Sequence, residues 1–387
     1  MKRKNIGINT ICTHVGEVKD TQFQGAVSPL FLSSSYQYDG VDVKRYPRYF
    51  NTPNQEGLGK KIAALEKSEA GMIFSSGMAA VSHCLLAFLH KGDHVVFPQT
   101  LYGGTYNFVV EEFHKFGIEY TFAEGFTEKD FTKAIKANTK VIYVETPSNP
   151  LMKITDLEII ARLAKKHSLV SMVDNTFASP INQTPADFGI DIMIHSATKY
   201  MGGHSDICAG AVAASTSHMD VIWNISKNIG GSLSDYTVWL LERSLKTMAL
   251  RVKAQNKTAR KIAKWLEKHP LVAKVYYPGL KSHPDYLLAK KQMNGYSGML
   301  SFELIAPLDP NKFMKQLKLV KQSMSLAGVE STILSPSHTS HALLSPQERA
   351  HQGIADGLLR FSVGIEEKAD LLADLTQAFE SLTNKRD

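Results

Sequence analysis

Between about residue 90 and residue 195 the chain alternates short, mostly apolar runs with helix-length stretches, and this constrains its fold more than any other feature. His94-Val95-Val96-Phe97, Ile118 to Phe122, Val141-Ile142-Tyr143-Val144, Leu169 to Val173 and Ile192-Met193-Ile194 read as strands. A strand with one wet face alternates apolar and polar residues, whereas a run apolar at every position is covered on both sides. Between these runs, Thr105 to Phe116, closed by Gly117, and Thr127 to Lys136 read as helices. Thr155-x-x-Glu158 reads as a capping box ahead of a helix whose face carries Leu157, Ile160, Ala161 and Ala164. Upstream, Leu58, Ile62 and Leu65 fall at helical spacing, and Met78 to Leu89 is a further helix. Strand–helix repeats of this kind predict a mostly parallel α/β sheet with helices on both faces.

The 387 residues suffice for two domains. Residues 1–55, rich in Ser, Tyr, Asn and Pro, read as an N-terminal arm, residues 56–250 as the main α/β domain, and residues 251–387 as a smaller C-terminal α/β domain. The segment Leu250 to Leu266, basic and free of Gly and Pro, reads as the helical connection between the last two. The formal charge of +7 is dispersed. Lys312, Lys315 and Lys318 recur opposite Phe313, Leu317 and Val320, the signature of a solvated helix face. No basic stripe interleaves with aromatics, so no nucleic-acid partner is expected. Cys12, Cys84 and Cys208 are widely spaced, which predicts free thiols in a reducing, cytoplasmic setting. No apolar run follows Met1-Lys2-Arg3-Lys4, and none approaches membrane-spanning length, so neither export nor membrane insertion is expected. His338 and His341 have ligand-like spacing without an evident third partner, and no metal is assigned to them.

Chemistry concentrates where the strands end. In an open parallel sheet, ligands bind beyond the carboxyl ends of the strands. Asp174 closes one predicted strand, and Lys199, in Ser196-Ala197-Thr198-Lys199, follows another. Ser76-Gly77-Met78 opens a helix, and Tyr102 lies in the Tyr-Gly-Gly-Thr loop after 94–97. Burial penalises a bare ammonium, but not an amine held as an imine. Free N–H groups at a helix start suit a phosphate dianion, and a buried carboxylate suits a protonated pyridine. An imine-forming Lys199, Asp174 and the Gly77 turn are together the protein half of a pyridoxal phosphate site. Tyr102 is placed to stack on the ring.

With these residues stand further motifs: Tyr46-Pro47-Arg48, Ser75-Ser76-Gly77-Met78-Ala79-Ala80, Glu145-Thr146-Pro147-Ser148-Asn149-Pro150, Ser325-Leu326-Ala327-Gly328-Val329-Glu330-Ser331 and Arg360-Phe361-Ser362-Val363-Gly364. From about Thr10 to Phe379 the chain resembles the trans-sulfuration family of pyridoxal-phosphate enzymes, which act on cysteine, methionine and cystathionine. The resemblance implies the fold-type-I transferase architecture and a homotetramer built from two active dimers. It implies that Gly77, Met78, Ser196 and Thr198 hold the phosphate, with Thr176 also at the cofactor, Asp174 on the ring nitrogen and Tyr102 on the ring. Tyr46 and Arg48 would reach a neighbouring subunit's phosphate. Asn149, Ser331 and Arg360 would hold the substrate. Lys199 would move the α-proton, and Tyr102 or Lys199 would protonate the leaving sulfur.

Some positions depart from the family's usual residues. Tyr49 stands where the family commonly carries a basic or small residue, Asn107 where cystathionine-handling members often carry arginine, and Gly104 where methionine-cleaving members usually carry cysteine. Glu330 resembles the γ-branch. The resemblance therefore implies a carbon–sulfur lyase performing γ-elimination of cystathionine or methionine type. The alternatives are γ-replacement on an O-acylhomoserine, β-elimination of cystathionine and, more remotely, transamination.

Overall fold

The computed structural model describes residues 6–339, 347, 349 and 353–383. Seven strands form the larger sheet: β1 Ala70–Phe74, β2 His94–Phe97, β3 Glu119–Phe122, β4 Thr139–Glu145, β5 Val170–Asp174, β6 Ile192–His195 and β7 Gly210–Ala214. Their order is β1-β7-β6-β5-β4-β2-β3. β7 runs antiparallel to both neighbours, and the other pairs are parallel.

Alternate residues of each strand point to opposite faces. Val96, Ile142, Val144, Val173 and Met193 pack beneath helices Pro53–Leu65 and Leu157–His167. Val95, Val141, Tyr143, Met172 and Ile194 pack beneath helices Gly77–Phe88 and Gly103–Phe116. Both faces of the interior strands are dry, which is why their runs are mostly apolar, whereas the edge strand β3 has an exposed Glu119 and is otherwise half-buried.

β1 and β7 have no comparable sequence signal. Both carry small residues where backbones approach closely, Ala70 and Gly71 in β1 and all but Val212 in β7. A Cβ on Gly71 would come within 2.4 Å of the Gly59 carbonyl oxygen, and one on Gly210 within 2.1 Å of the Ser76 carbonyl oxygen. Gly and Ala carry little strand propensity, so tertiary packing decides these two strands.

The smaller sheet contains β8 Val272–Tyr276, β9 Met299–Leu304, β10 Lys321–Gln322, β11 Thr332–Leu334 and β12 Leu358–Ser362, in the order β10-β11-β12-β9-β8. Leu359 and Phe361 of β12 enter the C-terminal core, so Arg360 points the other way, toward the large domain. The expected division at residue 250 falls within helix Met248–Leu266, which serves both domains. Met248, Ala249 and Val252 pack on the large-sheet core, and Ala259, Ile262, Ala263 and Leu266 on the C-terminal one. The lysine-bearing helix runs only over Pro310–Gln316, so Lys318 lies beyond its end, while Phe313 is buried as expected. In the N-terminal arm, helix Ile8–His14 buries Cys12, whose carbonyl accepts from buried Lys61 Nζ at 2.8 Å. Cys84 is also a buried free thiol, and Cys208 is exposed. Among the described residues no helix is long and apolar enough to cross a membrane.

The helix expected to start from Thr155 begins instead at Leu157, capped by Asp156. Asp156 Oδ1 accepts from the N–H groups of Glu158 and Ile159 at 2.9 and 3.2 Å. The Thr155 hydroxyl is buried with no hydrogen-bond partner, and the Glu158 carboxylate reaches out to Lys291. A carboxylate at this cap also suits the positive end of the helix. Asp156→Ala is therefore expected to lower stability by about 1 kcal/mol, whereas Thr155→Val leaves it nearly unchanged. Denaturation midpoints at matched protein concentration check this, and the reverse order would restore Thr155 as the cap.

Candidate active site

Strands β2, β4, β5 and β6 are parallel, so their carboxyl ends share one rim. β1 is antiparallel to β7, which is antiparallel to β6, so β1 also ends there. A pocket of about 530 Å³ opens at this rim. Gly77, Met78, Tyr102, Asn149, Asp174, Thr176, Ser196, Thr198, Lys199 and Arg360 all line it, although they span most of the sequence.

Ser76 caps helix Gly77–Phe88 by accepting the Ala79 N–H at 3.0 Å. A Cβ on Gly77 would come within 2.7 Å of Ser196 Cβ, so only glycine leaves this cradle open. The Thr176 hydroxyl accepts the Ser196 N–H at 2.8 Å, and the Thr176 N–H donates to Asp174 Oδ1 at 3.0 Å. Thr198 Oγ1 exchanges hydrogen bonds with the Ala209 backbone, accepting its N–H at 3.0 Å and donating to its carbonyl at 3.2 Å. Three turns are thereby tied together around the pocket floor.

Burial pushes the Asp174 carboxyl above its usual range, against the pull of Thr176 and His195. Opposite it on β4, Glu145 is pushed up to about 8 by burial and by Asp174. Burial, then Arg360, holds the Lys199 amine below the usual lysine range, which favours its neutral form. Lys199 Nζ donates to Ser325 Oγ at 3.1 Å. Arg360 is 4 % exposed, and burial lowers it to about 10. Its Nη1 donates to Asn149 Oδ1 at 3.1 Å, and its Nη2 to the carbonyls of Met324 and Ser325 at 3.2 and 3.5 Å. These partners are all neutral. A buried guanidinium without a carboxylate partner among the described residues is a ready site for an anion.

The Tyr102 ring lies half-exposed over Gly104, where a Cβ would come within 2.6 Å of Tyr102 Cε1. Asn107 also lines the pocket. Tyr46 and Arg48 lie outside this pocket in their own chain. The Arg48 guanidinium sits over the rings of Tyr46 and Tyr49 at 5.5 and 5.3 Å and donates to the Lys227 carbonyl.

Ser331 differs from expectation. Its hydroxyl donates to Glu366 Oε2 at 2.8 Å and accepts the Gly364 N–H at 2.9 Å, so it is committed away from the pocket. Ser325, six residues earlier, takes the pocket position beside Lys199 and Arg360. Glu330 also lies off the pocket, half-buried against Ser205. His338 contacts the hydroxyls of Ser335 and Ser337, and His341 lies outside the described residues. Sequence reasoning passed over Glu145 and Cys208, which also line the pocket. Glu145 at a strand's carboxyl end, in the same position as Asp174, was the available signal.

The sequence profile of the Cys/Met metabolism PLP-dependent enzymes matches residues 9–380. The chain belongs to this family. As a Cys/Met metabolism PLP-dependent enzyme, it is 42% identical to the cystathionine gamma-lyase of Bacillus subtilis over 99% of this chain and 100% of that protein. It is 41% identical to the cystathionine beta-lyase of Lactococcus lactis subsp. cremoris, covering 94% of this chain and 97% of that protein. A crystal structure of cystathionine gamma-lyase from Lactobacillus plantarum complexed with L-serine superposes with a TM-score of 0.94 at 38% identity, covering 97% of this chain and 99% of that one. The family's pyridoxal phosphate fits this pocket: the Gly77 cradle is open, Asp174 is buried and Lys199 is desolvated.

Gly77→Ala tests the cradle. Its methyl group must displace Ser196, and the dissociation constant for pyridoxal phosphate should rise about tenfold or more, roughly 1.4 kcal/mol. Ala is the better helix former, so the fold should hold. Absorbance titration of the apo-protein measures this, and an unchanged constant would place the phosphate elsewhere.

Proposed function

We propose that this enzyme is a carbon–sulfur lyase that carries out γ-elimination on a sulfur amino acid of methionine or cystathionine type. The observation that carries elimination over replacement is the charge inventory of the pocket. Among the described residues lining it, Lys199 and Arg360 are the only cationic side chains, and Arg360 has room for one carboxylate. Around them stand Asn107, Met324, Leu334 and Thr339. Joining two amino acids brings two carboxylates into one site, as does cystathionine itself, whereas elimination from methionine brings one, so the charge inventory ranks a methionine-type substrate ahead of cystathionine. The γ position is supported by the full-length similarity to a cystathionine gamma-lyase.

When bound, pyridoxal phosphate supplies the electron sink that makes a substrate α-proton removable. The chain's own residues do the rest. The N–H groups at the Gly77–Met78 helix start, with Ser196 and Thr198, hold the phosphate. Asp174 holds a positive charge at the ring nitrogen, and Thr176 fixes its carboxylate. Tyr102 covers the ring. Arg360, braced by Asn149, takes the α-carboxylate and orients the α-proton toward Lys199. Lys199 Nζ is the base, because its desolvated amine is more readily neutral than an exposed lysine: it takes the α-proton, passes it on, and then takes a β-proton, whose electron pair is what displaces the γ-sulfur. Tyr102 Oη or Lys199 Nζ then delivers a proton to the departing sulfur. Tyr46 and Arg48 serve a neighbouring subunit's phosphate, so the working unit is a dimer within a cytoplasmic homotetramer.

A product assay tests the reaction. Methionine or cystathionine alone should yield 2-ketobutyrate, ammonia and the thiol. Rapid cystathionine formation from an O-acylhomoserine and cysteine, without 2-ketobutyrate from the first pair, would make the enzyme a γ-synthase. Pyruvate with homocysteine from cystathionine would make it a β-lyase.

Subunit sharing has its own test. Lys199→Ala and Arg48→Ala chains, each inactive alone, should recover activity when exchanged into mixed oligomers, because one composite site is then whole. Mixed oligomers confirmed by mass but still inactive would show that each subunit's site is self-contained.

A further inference from the structure

Glu145 is a buried carboxylate in the pocket to which the reaction described above gives no role. It ends β4 directly opposite Asp174 of β5 and is 5 % exposed. Its Oε2 accepts the Tyr102 N–H at 2.7 Å, and its Oε1 accepts the Asn149 N–H at 3.1 Å. Tyr102 stands at the head of helix Gly103–Phe116, which has no side-chain cap of its own and no acidic residue in its first turn. The acceptor favoured there comes from β4 instead. On the other side, Asn149 Oδ1 accepts from Arg360 Nη1. A continuous path therefore runs from the ring-covering tyrosine through one carboxylate to the unpaired guanidinium.

We propose that Glu145 is a positioning residue: its two oxygens hold the Tyr102 loop and the Asn149–Arg360 pair at a set separation across the pocket. The two N–H donors face separate oxygens, so the clamp needs two acceptors. A carboxyl group keeps an accepting oxygen toward each donor whether ionised or protonated, whereas an amide provides one oxygen and turns an NH₂ donor toward the other N–H. An amide would remove the repulsion with Asp174, but it would break one arm of the clamp. The inference rests on reading this pocket as the cofactor and substrate site, and amide exchange tests it independently of which bond is cleaved.

The first measurement needs no variant. In the wild-type protein without substrate, the amides of Tyr102 and Asn149 should exchange with deuterium far more slowly than neighbouring loop amides. Glu145→Gln should speed exchange in segments 100–104 and 147–151 while the melting temperature stays close to wild type. In the holoenzyme, kcat/KM should fall by about tenfold to a hundredfold, the cost of ångström-scale misplacement. KM should rise through Arg360, and the circular dichroism of the bound cofactor should change through Tyr102. Should the glutamine variant not fold, Glu145→Asp keeps the charge but falls one methylene short of both donors, and the same readings apply. Wild-type amides exchanging at loop rates would overturn the proposal, as would a variant with kinetics within about twofold of wild type. Exchange that rises across the whole chain together with a fall in melting temperature would make Glu145 a fold residue and overturn it equally.

Discussion

A parallel strand buried on both faces can show polar chemistry only at its ends. Every strand of the large sheet that contributes to the pocket obeys this constraint. Val95 to Phe97, Val141 to Val144 and Met172 to Val173 are dry along their length. Polar groups then appear together at Glu145, Asp174 and His195-Ser196. Because these strands run the same way, their ends converge without any local sequence instruction to do so. Strands β1 and β7 extend the sheet and bring the Gly77 turn against Ser196.

The converging groups set an electrostatic problem. Two acids, Asp174 and Glu145, and two bases, Lys199 and Arg360, are buried in one pocket. Burial acts against the charged form of each. Arg360 is braced by an amide and two carbonyls rather than by a carboxylate, and Lys199 meets a serine hydroxyl. Neutral partners limit the desolvation cost without neutralising the cations, which leaves them complementary to an anionic ligand. The domain arrangement matters equally here. Arg360 belongs to the C-terminal sheet and reaches the large-domain pocket because β12 turns alternate residues outward. Ser301 Oγ donating to the Pro150 carbonyl, and Gln292 bonding to Leu157, Thr155 and Gln183, fasten the two domains nearby.

Much of this was legible before any coordinates. Lys199 and Asp174 stood out because a charged residue beside an apolar run needs a physical reason. Gly117 stopped its helix as expected, in a left-handed conformation at φ 66°. Other features failed for identifiable reasons. Asp156 rather than Thr155 caps its helix, and a one-residue shift of that kind is invisible when both residue types suit a cap. Ser331 and Ser325 have similar chemistry at similar sequence positions. Which one faces the pocket depends on Glu366, thirty-five residues further on. Glu145 hid in plain view because one of its two backbone partners, Tyr102, lies on a different loop, forty-three residues earlier.

The sequence by itself determined the large sheet's class, the dry strand interiors, the residues at strand ends and the family. Those follow from local pattern: apolar periodicity, turn chemistry and motifs carry their information within a few residues. Only the tertiary structure decided which helix start met which strand end, that one long helix serves both domains, and that Arg360 crosses to the pocket. It also decided that one carboxylate joins two loops. These depend on packing between segments far apart in the chain, where the deciding contact is a missing Cβ at Gly77, a shared hydrogen-bond acceptor or the outward turn of a strand residue.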